Sequence, residues 1–319
     1  MKLSRRELMK LGLGCAAVSM LPHRLFAAQQ SALILRRIPS TGEMIPAIGI
    51  GTARRYDVGA SADQRLVLKE VIRLFQQMGG KLVDTAPRYG TAESVVGDLV
   101  TELGIRDSLF IATKVMQEGG EAGLAEMEES CKRFRTKMID LIAVHNLVDV
   151  QTQLATLREW KAAGRVRYLG ITASSDGRYD DFLDVMSKEK LDFIQIDYAL
   201  DNRNAADKIL PLAADRGMAV MINLPFGRAG LFEATKNQKL PEWAAEFDCA
   251  SWAQFFLKYI LSHPAVTCAI PGTAKVEYLV DNLGAARGRL PDAALRRRME
   301  DFIDKLPRVP SAKKGKKKK

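Results

Sequence analysis

Ile139-Asp140-Leu141-Ile142-Ala143-Val144-His145 opens the stretch that decides the fold. Leu154, Leu157 and Trp160 follow at helical spacing, then Gly164, then Val166-Arg167-Tyr168-Leu169-Gly170-Ile171. A short apolar run, an amphipathic segment, a glycine stop and a second apolar run make one strand–helix–strand unit. The unit recurs along the chain. Candidate strands begin near Ile45, Lys81, Leu109, Ile139, Val166, Phe193, Met218 and Val266, at spacings of 36, 28, 30, 27, 27, 25 and 48 residues. All but the last spacing suit a strand, a helix and two turns. Val67, Val71, Leu74 and Phe75 mark the first intervening helix, and Gly79-Gly80 ends it. Eight such units in about 240 residues predict an α/β fold of the (β/α)8 TIM-barrel type rather than an open doubly wound sheet. The wide gap places an insertion at 224–250. Before the first unit, 32–37 and 43–45 flank a turn at 39–42 and predict a β-hairpin closing the barrel bottom. After the last, 292–306 reads as an added amphipathic helix.

The formal charge of +10 on 319 residues suggests a polyanion partner until it is located. Residues 1–30 hold five basic side chains and one acidic. Residues 311–319 hold six lysines. Positions 31–310 are left with 37 of each sign. The body is therefore neutral, which excludes a generally basic nucleic-acid-binding domain. At 47% hydrophobic and 27% charged, the composition also excludes disorder of the whole chain. Three segments follow: 1–30, a barrel over 31–310, and a lysine-rich solvated end at 311–319.

The first segment reads as an address. Ser4-Arg5-Arg6-Glu7-Leu8-Met9-Lys10 resembles the bacterial twin-arginine export signal. The apolar run 11–22 is too short for an ordinary transmembrane helix, and no other segment is long and apolar enough. Ala27-Ala28 offers a processing site. The expectation is a periplasmic or otherwise exported protein handled by the twin-arginine machinery, cytoplasmic if the segment is not used. Gly12-x-Gly14-x-x-Ala17 matches a dinucleotide fingerprint but follows no strand, and is discarded. Cys15 falls in this segment. Cys131, Cys249 and Cys268 form no Cys-x-x-Cys pair, so neither a disulfide framework nor a metal site is expected.

In barrels of this type the reactive groups sit at the C-terminal ends of the strands. There the chain has Asp84, with Tyr89 in the following loop, then Lys114, then His145. Singly, each has an ordinary role: a helix cap, a loop anchor, a rim ion pair, a core histidine. On three adjacent strand ends they make a proton-donating site. A neighbouring ammonium is expected to lower the phenol pKa of Tyr89, and Asp84 to hold that ammonium. His145 can orient a carbonyl oxygen and Tyr89 can protonate it. A hydride must come from a reduced cofactor.

At these residues the chain resembles the aldo-keto reductase superfamily over roughly 33–306. The resemblance is carried by Val83-Asp84-Thr85-Ala86-Pro87-Arg88-Tyr89-Gly90, Thr113-Lys114, Val144-His145, the run 160–171, Gln195-Ile196-Asp197-Tyr198 and Ile270-Pro271-Gly272-Thr273. It implies Asp84, Tyr89, Lys114 and His145 as a catalytic tetrad with Tyr89 the general acid. It also implies NADPH, or NADH, as hydride donor to an aldehyde or ketone, without a metal. For the cofactor it implies Gly51, Thr52, Thr172, Gln195, Gly272, Thr273, Lys275, Asp281 and Asn282, together with Asp84. Ala173 stands where the family has an amide. Asn223 stands where the family stacks an aromatic ring on the nicotinamide, with Phe226 three residues on as a substitute. Phe226, Phe232, Trp243 and Phe247 in the insertion are expected either to wall a carbonyl pocket or to pack the loop down. The short tail predicts an open site taking broad or bulky carbonyls. The other reading is an exported cofactor-binding or regulatory barrel without efficient turnover.

Overall fold

The computed structural model describes residues 31–307; the arginine-pair segment 1–30, with Cys15, and the lysine-rich end 311–319 lie outside them. Eight parallel strands stand in sequence order: β3 (Ile50–Gly51), β4 (Leu82–Asp84), β5 (Phe110–Val115), β6 (Ile139–His145), β7 (Val166–Thr172), β8 (Phe193–Asp197), β9 (Ala219–Asn223) and β10 (Cys268–Ala269). Parallel bridges Ile48↔Ala269 and Gly51↔Gly272 bring the last strand back to the first and close the barrel. That seam is tight: a Cβ on Gly51 would stand 2.7 Å from the carbonyl oxygen of Ile270, and on the β4 side a Cβ on Gly49 would stand 2.7 Å from that of Leu82.

The expected hairpin exists as β1 (Leu35–Arg37) against β2 (Met44–Pro46), antiparallel. The run near Ile45 is therefore not the first barrel strand, which starts at Ile50. The apolar stretch 44–50 lacks an alternation that would separate hairpin from barrel. Ile45 and Ile38 plug the barrel floor with Leu82, Phe110, Tyr168, Phe193 and Met221. Beneath them Tyr168 donates to Glu43 at 2.6 Å and also pairs with Thr41 at 2.7 Å.

Alternation along each strand sorts side chains between two cores. On β5, Phe110 and Ala112 face the barrel axis while Ile111 and Val115 face the helices. Helix Ala62–Gln77 buries Leu68, Val71, Ile72 and Phe75, whereas Val67 points outward. Leu154, Leu157 and Trp160 are buried on Val150–Ala162 as their spacing requires. Asp292 caps the added helix Ala293–Asp304, accepting from Ala294 N at 2.9 Å and Leu295 N at 2.8 Å. Cys131, Cys249 and Cys268 are free, buried thiols.

The insertion folds as helix Gly230–Thr235 and a turn at Glu242–Phe247 before Trp252–Leu261. Its aromatic residues pack. Phe226 and Phe232 lie 4.9 Å apart, with Phe232 5.4 Å from Phe256. Trp243 packs edge-on or tilted among Phe247, Phe255 and Phe302. Of the two roles open to this loop, packing is the one that most of its rings serve.

Candidate active site

The strand parity that puts Phe110 and Ala112 on the barrel axis also puts Lys114 there, two residues further up. Leu82 likewise precedes Asp84, and Leu141 precedes His145. Apolar residues fill the floor and ionisable ones the mouth. Register aligns them laterally: Gly51↔Asp84, Asp84↔Ala112, Lys114↔Ala143, His145↔Thr172 and Thr172↔Gln195.

Lys114 is only 2% exposed and Asp84 only 4%. The Lys114 ammonium donates to both Asp84 oxygens, at 2.8 and 2.9 Å, and to the Thr85 carbonyl at 2.7 Å. A hydrogen bond with Tyr89 also bears on this ammonium. Its Nζ lies 5.2 Å from the Tyr89 ring centroid, and the Tyr89 and His145 rings meet edge-on at 6.3 Å. The four expected residues are thus brought together. Thr85, whose carbonyl is the third acceptor, was not singled out in the sequence because it acts on Lys114 through its backbone.

Burial opposes charge on each group. It pushes the Lys114 ammonium down, but the charge of Asp84 and Tyr89 outweighs it and the pKa ends above its ordinary value. Burial raises the Asp84 carboxyl, against the pull of Lys114 and Gln195. For Tyr89 the expected lowering by Lys114 is present but does not win. Burial, helped by Asp84, leaves the phenol above its usual value of 10.0. Burial, then Lys114, then Arg88 push His145 down to about 3. At neutral pH the phenol carries its proton and the imidazole is uncharged.

The residues implied for a cofactor differ in how the fold places them. Thr52 and Thr172 are buried at or beside strand ends, and Gln195 is buried within β8. Asn223 ends β9 and donates to the Ala173 carbonyl at 3.0 Å. Its amide therefore sits against the residue where the family's own amide is missing. Gly51 is explained by the seam itself. Gly272 is open, a Cβ there meeting nothing nearer than Arg55 Cγ at 3.7 Å. Others are committed to the protein. Thr273 donates to Pro271 O and accepts from Asn282, both at 3.0 Å. Asp281 accepts from Ser251 and Gln254 at 2.8 Å. Lys275 is exposed, 5.4 Å from the Tyr278 ring centroid. Phe226 leans on Phe232 and is half-buried.

Nine buried side-chain polar atoms among the described residues lack a hydrogen-bond partner. Thr52 Oγ1, Thr85 Oγ1, His145 Nδ1 and Asn223 Oδ1 are four of them, all at or next to strand C-termini. An unpaired buried group costs about 1–3 kcal/mol. A polar ligand in the mouth would relieve that cost, so the residues fit a bound cofactor and carbonyl. Among the described residues no cluster suited to a metal ion is found.

Comparison with known proteins agrees with this geometry. Residues 47–300 match the model of the aldo/keto reductase family. The chain is similar to methylglyoxal reductase YeaE of Escherichia coli, 27% identical over 277 residues covering 84% of this chain and 93% of that one. It is 31% identical over 201 residues to aldo-keto reductase YhdN of Bacillus subtilis, covering 58% of this chain and 60% of that one. In fold it is similar to an aldo/keto reductase from Klebsiella pneumoniae solved with NADP and acetate. There the TM-score is 0.72 and the identity 23%, with 86% of this chain and 99% of that one covered.

Proposed function

The chain belongs to the aldo/keto reductase family, and from that premise we propose that it reduces aldehydes or ketones to alcohols with NADPH, Tyr89 acting as general acid. The observation that carries this reading is the buried Lys114–Asp84 pair beneath Tyr89. Bound NADPH supplies the hydride. Thr52, Thr172, Gln195 and Asn223 would hold it at the barrel mouth, with Lys275 the cation expected at its phosphate end.

The assignment of roles follows from charge. With a pKa of about 3, His145 holds no extra proton at pH 7, so it cannot be the acid. It can offer one N–H to the substrate oxygen and fix its position. Tyr89 keeps its proton until negative charge grows on that oxygen, then transfers it. The resulting phenolate is stabilised by the ammonium of Lys114, which Asp84 and Thr85 hold in place. That stabilisation grows with the developing charge, as catalysis requires.

The test is NADPH oxidation followed by absorbance with a panel of aldehydes and ketones. Tyr89→Phe is expected to lower kcat by about 10²–10⁴-fold with NADPH affinity kept. Stoichiometric bound cofactor with no turnover of any carbonyl would instead favour a binding protein. Residues 1–30 are proposed as a twin-arginine address that carries the folded barrel out of the cytoplasm, to the periplasm.

A further inference from the structure

Arginines in this barrel are mostly paired. Among the described residues five arginine side chains have neither an ion pair nor a hydrogen bond: Arg37, Arg54, Arg55, Arg88 and Arg297. Three of these stand on the loops that follow β3 and β4, at the end of the barrel holding Tyr89 and His145. Those two loops, 53–61 and 85–91, contain one carboxylate between them, Asp57.

Asp57 is already engaged. Its Oδ1 accepts from Thr91 N at 2.9 Å and Thr91 Oγ1 at 3.0 Å, and these bonds hold its carboxyl below the usual range. Gly59 N donates to the same Thr91 hydroxyl at 2.9 Å. Gly90, at φ +62°, comes so close that a Cβ would lie 2.3 Å from the Asp57 carboxylate. The acid clasps the two loops together. These two loops thus carry three guanidiniums against one carboxylate, and that carboxylate is turned into the clasp.

Arg88 is the arginine that bears on the chemistry. It immediately precedes Tyr89, is exposed, and its charge reaches the His145 ring. Its planar fork of donors matches a carboxylate or phosphate and has no mate among the described residues. We propose that Arg88 recognises an anionic group, carboxylate or phosphate, on the carbonyl substrate, so that charged carbonyls are preferred to neutral ones. This rests on the reductase reading above. A cofactor phosphate has the same chemistry, and the experiment separates the two sources.

The experiment compares 4-carboxybenzaldehyde with benzaldehyde under saturating NADPH, in wild type and Arg88→Gln. Wild type is expected to favour the carboxylate at least tenfold in kcat/KM, and to lose that preference as salt rises. Arg88→Gln is expected to remove the preference mainly through KM, with the NADPH dissociation constant within twofold of wild type. Equal kcat/KM for the two aldehydes in wild type overturns the proposal. So does an equal fall for both aldehydes in the variant, or weakened NADPH binding with the preference intact, which would assign Arg88 to the cofactor. If neither aldehyde is turned over, the reductase reading itself falls. Benzoate binding by calorimetry then decides for Arg88: a tenfold loss in Arg88→Gln sustains the anion site, and equal affinities overturn it.

Discussion

Asp84 shows how much depends on one buried charge. With the Lys114 ammonium 2.8 Å away, its carboxylate is the partner that keeps that cation tolerable inside the barrel. Breaking a buried pair by removing one partner typically costs about 3–5 kcal/mol. Asp84→Asn should show a loss of that order in urea unfolding, and a lowered Lys114 pKa, because its main upward influence is gone. The pH profile is a second residue-scale test. In the proposed role Tyr89 is active only while protonated, and burial raises its pKa above the usual 10.0. Reduction should therefore fall only on the alkaline side, beyond pH 10. His145 should add no limb between pH 5 and 9, since it is uncharged above about pH 3. A limb near pH 6.5 in kcat/KM would contradict the assignment. The identities of the four residues were legible from their types and strand-end positions. The direction of the Tyr89 shift was not. It depends on the balance between burial and a single ammonium, and burial is a property of the assembled mouth.

At the scale of elements, periodicity located the helices well and the short strands poorly. Leu154, Leu157 and Trp160 are buried as their spacing required, but Val67 faces solvent because the helix turns Leu68 and Val71 inward. The strand expected near Ile45 became half of the hairpin. A continuous apolar run has no internal mark where one strand stops and another begins. The seam is the element most exposed to a single change. In Gly51→Ala the new methyl would meet the Ile270 carbonyl 2.7 Å away. Overpacking of this kind costs about 1–3 kcal/mol. Thermal unfolding of the variant should show it, and an unchanged midpoint would mean the seam can widen. The aromatic insertion taught a similar lesson. Phe232, Trp243 and Phe247 were legible as apolar residues near the mouth. That they would pack on Phe255, Phe256 and Phe302 depended on two helices lying alongside them.

For the whole molecule, charge is divided by region. The neutral body 31–310 carries its ionic chemistry locally, at Lys114 and at the arginines of the mouth. The basic ends lie beyond the described residues. A substitution of both Arg5→Lys and Arg6→Lys should keep the folded protein in the cytoplasm of a bacterial host, measured by cell fractionation. Unchanged periplasmic recovery would remove the export proposal. Chain periodicity alone specified eight strand–helix units and the ends at which reactive side chains would stand, because side-chain parity and handed connections leave few other ways to bury such a pattern. Tertiary packing alone decided which groups share the mouth's charge. Asp57 is drawn into a clasp with Thr91, Asp281 into bonds with Ser251 and Gln254, and Arg88 is left without a partner among the described residues. Electrostatic balance falls off over ångströms, and those distances exist only once loops far apart in the chain have met.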